Sequence, residues 1–258
     1  MNDIKYGLVL SGGGVGGIAH IGVIKALEEH GIRPSIISGA SAGAIVGAFY
    51  AAGYSTNEIL EFFQTTSLFS IKNYAVRKAG FVDTNKFYNI FKQYFPEDSF
   101  EALKKKLYIS TTNIISGKTK FFHEGLLIHP LLASAAVPGV FSPMIIENEL
   151  YADGGITNNF PTEPLMTDCD KIIGVQVHPL KKIKVEDLKT SFAVMERAYL
   201  ISRASNSMKK ISDCDLIIKP QSLNRFGTFS INHIDEIFQI GYEAAIEELK
   251  SFHETRTT

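Results

Sequence analysis

PSIISGASAGAIVGAFYAA, residues 34–52, passes from an apolar run into a series of small residues without a single charged side chain. Residues 34–38 predict a short buried strand and residues 41–52 a helix. Between them stands Gly39-Ala40-Ser41-Ala42-Gly43, a G-x-S-x-G sequence at a strand-to-helix junction. A tight turn at that point lifts the serine hydroxyl clear of the sheet. Small neighbours avoid clashes, and the helix N-terminus adds backbone donors and a positive dipole end. The pattern also arises by chance, with Ser41 as a plain helix cap. Gly39, Gly43 and Gly47 resemble the small-residue series of membrane helix pairs. Pro34, Ser38, Ser41 and the glycines nevertheless make a poor span, and Gly53, Ser55 and Thr56 end it early.

Upstream lies a second glycine-rich junction. Residues 5–10 (KYGLVL) predict the first buried strand, and residues 16–30 a helix with Ile18, Ile21, Ile24 and Leu27 on its apolar face. Gly12, Gly14 and Gly17 between them satisfy G-x-G-x-x-G, the dinucleotide fingerprint. That reading lacks its acidic ribose partner, because the second strand ends in Ser38-Gly39. A phosphate loop fails as well, since Ile18-Ala19 stands where Lys and Ser/Thr are needed. Beside a G-x-S-x-G turn, the loop suits another task. Backbone N–H groups of Gly12, Gly13 and Gly14 would face the oxyanion formed when Ser41 attacks a carbonyl. A serine nucleophile needs a base, and the candidate is Asp153 in Tyr151-Ala152-Asp153-Gly154-Gly155. Asp-Gly as a simple hairpin turn is the competing reading.

With these residues in view, the chain resembles the patatin-like phospholipases, serine lipid acyl hydrolases that work with a Ser–Asp dyad. The resemblance rests on Gly12-Gly13-Gly14, on the Ser41 elbow, on Asp153-Gly154-Gly155, and on Ser134-Ala135-Ala136-Val137-Pro138 followed by Phe141. It implies Ser41 as nucleophile, Asp153 as base and Gly12, Gly13 and Gly14 as the oxyanion loop. It also implies a three-layer α/β/α sandwich, a lipid or other acyl-ester substrate, transient contact with a membrane surface, and no cofactor. One departure is Gly16, where the family usually carries Arg or Lys, and it bears on phospholipid preference more than on hydrolysis. Acyl transfer or thioester hydrolysis by the same dyad is the related alternative. A non-catalytic nucleotide- or phosphate-binding protein is the alternative from another class.

Outside these motifs, residues 83–95 predict a helix capped by Asp83, and residues 108–124 a hairpin turning at Ser116-Gly117. HPLLASAAVP predicts a short helix stopped by Pro138, and MIIENELYADGG a second hairpin. KIIGVQV and DLIIKP predict buried strands entered through Asp-Cys-Asp turns, and long helices are expected over 190–211 and 232–250. Alternating strands and helices argue for a mostly parallel sheet covered on both faces, and no linker or repeat divides residues 1–258. Much of the aromatic stretch 62–100 is expected in the core, with Phe87, Phe91 and Phe95 at helical spacing. Thr65 to Gly80 is weakly periodic and is a candidate flap over an acyl pocket.

Among the seven histidines, His178 at a strand end is the best candidate for a third triad member, weighed against an edge histidine before Pro179. Cys169 and Cys214 form no disulfide framework, and their flanking aspartates lack metal-ligand spacing, so no metal is inferred. A net charge of -1 without long charged blocks argues against nucleic-acid binding. The short apolar N-terminal run does not resemble a signal peptide, which makes the cytoplasm the expected compartment.

Overall fold

The computed structural model describes residues 4–66, 87–177, 180–226 and 231–254. Its strands are β1 (Tyr6–Leu10), β2 (Ile36–Ala40), β3 (Lys106–Asn113), β4 (Lys118–Phe122), β5 (Met144–Ile146), β6 (Glu149–Asp153), β7 (Lys171–Val175) and β8 (Leu216–Ile218). The helices are α1 (Ala19–Glu29), α2 (Ala42–Ala52), α3 (Thr56–Thr65), α4 (Tyr88–Tyr94), α5 (Ile128–Ser134), α6 (Ser191–Met208) and α7 (Ile234–Glu254). All strands join one sheet, in which β3, β2, β1, β7 and β8 are neighbours in that order and run parallel. β4, β5 and β6 add antiparallel pairs, so the sheet is mixed but mostly parallel.

The period-2 alternation of strands sends neighbouring residues to opposite faces. Leu8 and Leu10 of β1 enter the larger apolar core, while Val9 enters a smaller one with Ile36, Phe160, Leu165 and Ile172. β2 and β7 divide likewise, with Ile37, Ile173 and Val175 on the larger side. α1, α2 and α7 cover that side, α1 packing along α7. The aromatic stretch supplies core, as its spacing predicted. Phe87, Phe91 and Phe95 are buried, and the Phe49 ring lies 4.4 Å from Phe62 and 5.0 Å from Phe95 between centroids. Each such ring contributes roughly 1.5–3 kcal/mol through burial. A Ser55–Glu58 capping box opens α3. Asp83 and most of the proposed flap (67–80) lie outside the described residues.

Strand pairing brings distant segments together. β3 carries β4 along one edge over Ile109–Asn113. Both β2, which pairs with residues 106–110, and β6, which pairs with residues 111–113, overlap that stretch, so they share the opposite edge. One runs parallel to β3 and the other antiparallel. Their C-terminal ends therefore meet head to head, Ala40 opposite Ser110 and Asp153 opposite Thr111.

Candidate active site

Strand β2 extends two residues beyond the predicted end, so that Ser41 alone separates it from α2. Turning a strand into a helix within one residue forces Ser41 to φ 53°, ψ -126°, a left-handed conformation that L residues rarely adopt. The turn closes because residue 43 is glycine: a Cβ there would stand 2.2 Å from the Leu10 carbonyl oxygen at the end of β1. The Ser41 N–H donates to Ser134 Oγ at 2.8 Å, and the Ser134 hydroxyl donates to the Ser110 carbonyl at 2.7 Å. Ser134 ends α5, and the chain just beyond it accepts the Asp153 N–H on the Ala136 carbonyl at 3.1 Å. The SAAVP segment thus ties the elbow and the aspartate turn to one support.

Asp153 is fully buried. Its Oδ1 accepts the Gly155 N–H at 2.7 Å, while Oδ2 has no hydrogen-bond partner among the described residues. Desolvation by burial raises its pKa, opposed by the Arg203 guanidinium, the Gly155 N–H and the nearby hydroxyls of Ser41 and Tyr199. Those two hydroxyls stand close enough to favour the charged carboxylate yet outside hydrogen-bond geometry on Oδ2. Catalytic contacts are often loose in this way before substrate binds. The Tyr199 proton is held tightly, its pKa pushed well above the usual phenol value by burial and by the Asp153 charge.

The glycine loop begins at the C-terminal end of β1, beside the end of β2, where open parallel sheets place ligands. Its N–H groups are unequal. That of Gly12 donates to the Asn159 carbonyl at 3.3 Å, whereas those of Gly13 and Gly14 have no partner among the described residues. Gly14 has φ 56° and opens a short 3₁₀ turn through Ile18, which takes the first residues of the expected helix and leaves α1 to start at Ala19. Gly16 is buried in that turn. The cation beside the loop comes instead from α6. Arg203 donates through Nη2 to the Gly12 carbonyl at 2.7 Å and through Nε to Asn159 Oδ1 at 3.2 Å.

His20 fixes the other side of the loop, its Nε2 lying 2.8 Å from the Ser11 carbonyl. A carbonyl only accepts, so Nε2 carries the hydrogen. Burial lowers the His20 pKa to about 4, against the opposing effect of that bond, so the ring stays neutral. The unfolded chain binds this proton below about pH 6.5 and the folded chain does not. Stability is therefore full above that pH and is lost as pH falls toward 4. His20→Gln keeps a donor but does not titrate. The stability lost between pH 8 and pH 5 is expected to be on the order of 2 kcal/mol smaller in that variant. Urea denaturation at both pH values checks this, and equal losses would remove His20 as the cause.

The structure thus brings Ser41, Asp153 and the glycine loop to one place. Sequence reasoning missed Ser134, Asn159, Tyr199 and Arg203; only Ser134 carried a signal, as part of a motif without a stated role. His178 lies outside the described residues. The cysteines sit half-buried, with burial raising both thiol pKa values, that of Cys214 to about 12. Their neighbouring aspartates serve the strand entries: Asp170 accepts the Lys5 N–H at 2.8 Å and Asp215 the Ile172 N–H at 2.8 Å.

A mostly parallel sheet flanked by helices, with the Ser41 turn and the buried Asp153 meeting beside a glycine loop, defines the chain as an α/β protein. The patatin-like phospholipase family model matches residues 8–166, and the chain belongs to that family. It is 27% identical over 279 residues to the lysophospholipase nte1 of Emericella nidulans, covering 95% of this chain and 18% of that protein. An uncharacterized NTE family protein of Mycobacterium tuberculosis is 31% identical over 178 residues, 67% of this chain and 49% of that one. The chain thus spans less than a fifth of the fungal relative and about half of the mycobacterial one. Among solved structures, VipD from Legionella pneumophila shares the fold, with a TM-score of 0.58 at 17% identity over 96% of this chain and 67% of that chain.

Proposed function

We propose that this protein hydrolyses a carboxylic ester of a lipid through an acyl-enzyme on Ser41. The observation that carries the reading is the strained Ser41 turn set against a buried aspartate whose Oδ2 is unpartnered among the described residues. Asp153 takes the Ser41 proton as Oγ attacks the ester carbonyl, and the Gly13 and Gly14 N–H groups receive the oxyanion. The protonated Asp153 then gives its proton to the departing alkoxide. In the second half it activates water, which releases the acid and restores the serine. Gly12 takes a shaping part in this scheme, since its N–H faces Asn159 and its carbonyl is held by Arg203. The family and its lysophospholipase relatives favour a lipid ester over other acyl compounds.

A panel of lysophospholipid, phospholipid, neutral acylglycerol and acyl thioester, assayed with and without an added alcohol acceptor, tests the proposal. Release of free fatty acid from an oxygen ester supports it. Acyl transfer to the alcohol without fatty-acid release, or no turnover at all, would overturn it.

Arg203 bears on the pH profile. Its cation opposes the effect of burial on Asp153, so removing it raises the pKa further. Arg203→Met is expected to lose activity at a higher pH than the wild type as the solution is acidified. An acid limb that does not move would place Arg203 outside the electrostatics of the dyad.

A further inference from the structure

The outer face of α6 differs from the rest of the surface. Val194, Ala198, Ile201, Ser205 and Met208 recur at i, i+4, i+7, i+11 and i+14, the spacing that lines one side of a helix, and all are exposed. Arg203 lies on the opposite side, facing the glycine loop. Seven of the thirteen large apolar side chains left exposed among the described residues fall within residues 180–208, so this exposure is concentrated rather than scattered. Val185 is 85% exposed and Met208 70%.

The charge of the same stretch departs from that of the whole. Residues 180–210 hold eight lysines and arginines against three carboxylates, in a chain whose net charge is -1. Lys181, Lys182, Lys189 and Lys209 are exposed and make no ion pair among the described residues. The segment carrying the first of these lysines is not remote from α6. Leu180, Lys181 and Ile183 line one cavity of about 260 Å³ together with Ala193, Arg197 and Leu200. The segment packs along the flank of α6, with Arg197 between it and the stripe, and segment and helix make up one contiguous stretch of surface.

We propose that this face, residues 180–210, docks the protein on an anionic lipid bilayer. Exposed apolar side chains enter the headgroup and acyl boundary while lysines beside them meet lipid phosphates, the division of labour of interfacial helices. Charge complementarity selects the anionic bilayer over a second copy of this chain, which would set two basic faces against each other. No helix among the described residues is long and apolar enough to cross a membrane, so docking is peripheral. The choice of lipid as occupant rests in part on the proposed lipid substrate. The surface itself is independent of the dyad, and its buried side holds Arg203 and Tyr199 beside Asp153.

Co-sedimentation with phosphatidylcholine vesicles, with and without phosphatidylglycerol, tests this, alongside turnover of a water-soluble short-chain ester and of a vesicle-embedded lipid ester. Wild type is expected to pellet with the anionic vesicles and to be released by salt. Ile201→Asp and the double substitution Lys181→Glu, Lys182→Glu are each expected to lower vesicle affinity by about tenfold or more. Both should leave turnover of the soluble ester at the wild-type level while turnover on vesicles falls. Failure of wild type to bind anionic vesicles, or unchanged binding by both variants, would overturn the proposal. So would a concentration-dependent dimer that Ile201→Asp abolishes without vesicle binding, which would make the stripe a contact between copies. A wild type that binds vesicles but cleaves no ester leaves the docking surface standing and refutes only the hydrolase reading.

Discussion

Ser41→Ala is expected to reduce ester turnover by about three orders of magnitude or more while the protein stays folded, as for nucleophiles of serine hydrolases. Alanine keeps the Cβ and hence the steric demand of the turn at φ 53°. The serine side chain makes no capping hydrogen bond on α2, so its loss removes no support for the helix. The main chain stays tied through the bond from the residue 41 N–H to Ser134, which does not depend on the side chain. The melting temperature should therefore remain near that of the wild type while activity disappears. A fluorophosphonate probe supplies the complementary result, with one covalent adduct on Ser41 in the wild type and none in the variant. Labelling at another serine, or turnover that survives Ser41→Ala, would dismiss the elbow as the seat of reaction.

Asp153→Asn is expected to be almost as severe, because the amide keeps shape and polarity but cannot accept the Ser41 proton. The pH profile of the wild type follows from the same group. Asp153 acts only when ionised, and burial raises its pKa above the ordinary carboxylate value. Activity should hold at neutral pH and fall as the solution is acidified through that raised pKa, with no loss on the alkaline side from this group. A histidine base tends to impose a limb near ~6.5, which a raised aspartate can approach, so mutation decides between them. His178→Ala should stay within roughly tenfold of wild type, as for a residue outside the reacting unit. A thousandfold loss in a folded His178→Ala protein, with Asp153→Asn nearly normal, would replace the dyad by a triad.

The two substitutions probe different kinds of information. Ser41 could be singled out from a few neighbouring residues, because a strand that becomes a helix within one residue demands a small-residue turn at that point. Gly43 shows why the demand is local: the atoms a side chain would strike belong to Leu10 and Ser11, in the preceding strand and loop. Asp153 could be marked only as a candidate, since Asp-Gly also makes ordinary turns. What joins it to Ser41 is the pairing of β2 and β6 along one edge of β3.

The sequence by itself determined the alternation of strands and helices, the sharp turn at Ser41, the bare glycine loop and the burial of Phe87, Phe91 and Phe95. Those are short-range consequences of side-chain size, backbone sterics and hydrophobic period. Only the tertiary structure decided which loop N–H groups have no partner among the described residues, because Gly12 spends its own on Asn159. It likewise decided that the cation at the loop is Arg203, reaching from α6 to the Gly12 carbonyl. A buried guanidinium and a solvated one look alike in a helical pattern. The difference lies in what the fold places against them, which depends on contacts between residues far apart in the chain and carries no local signature.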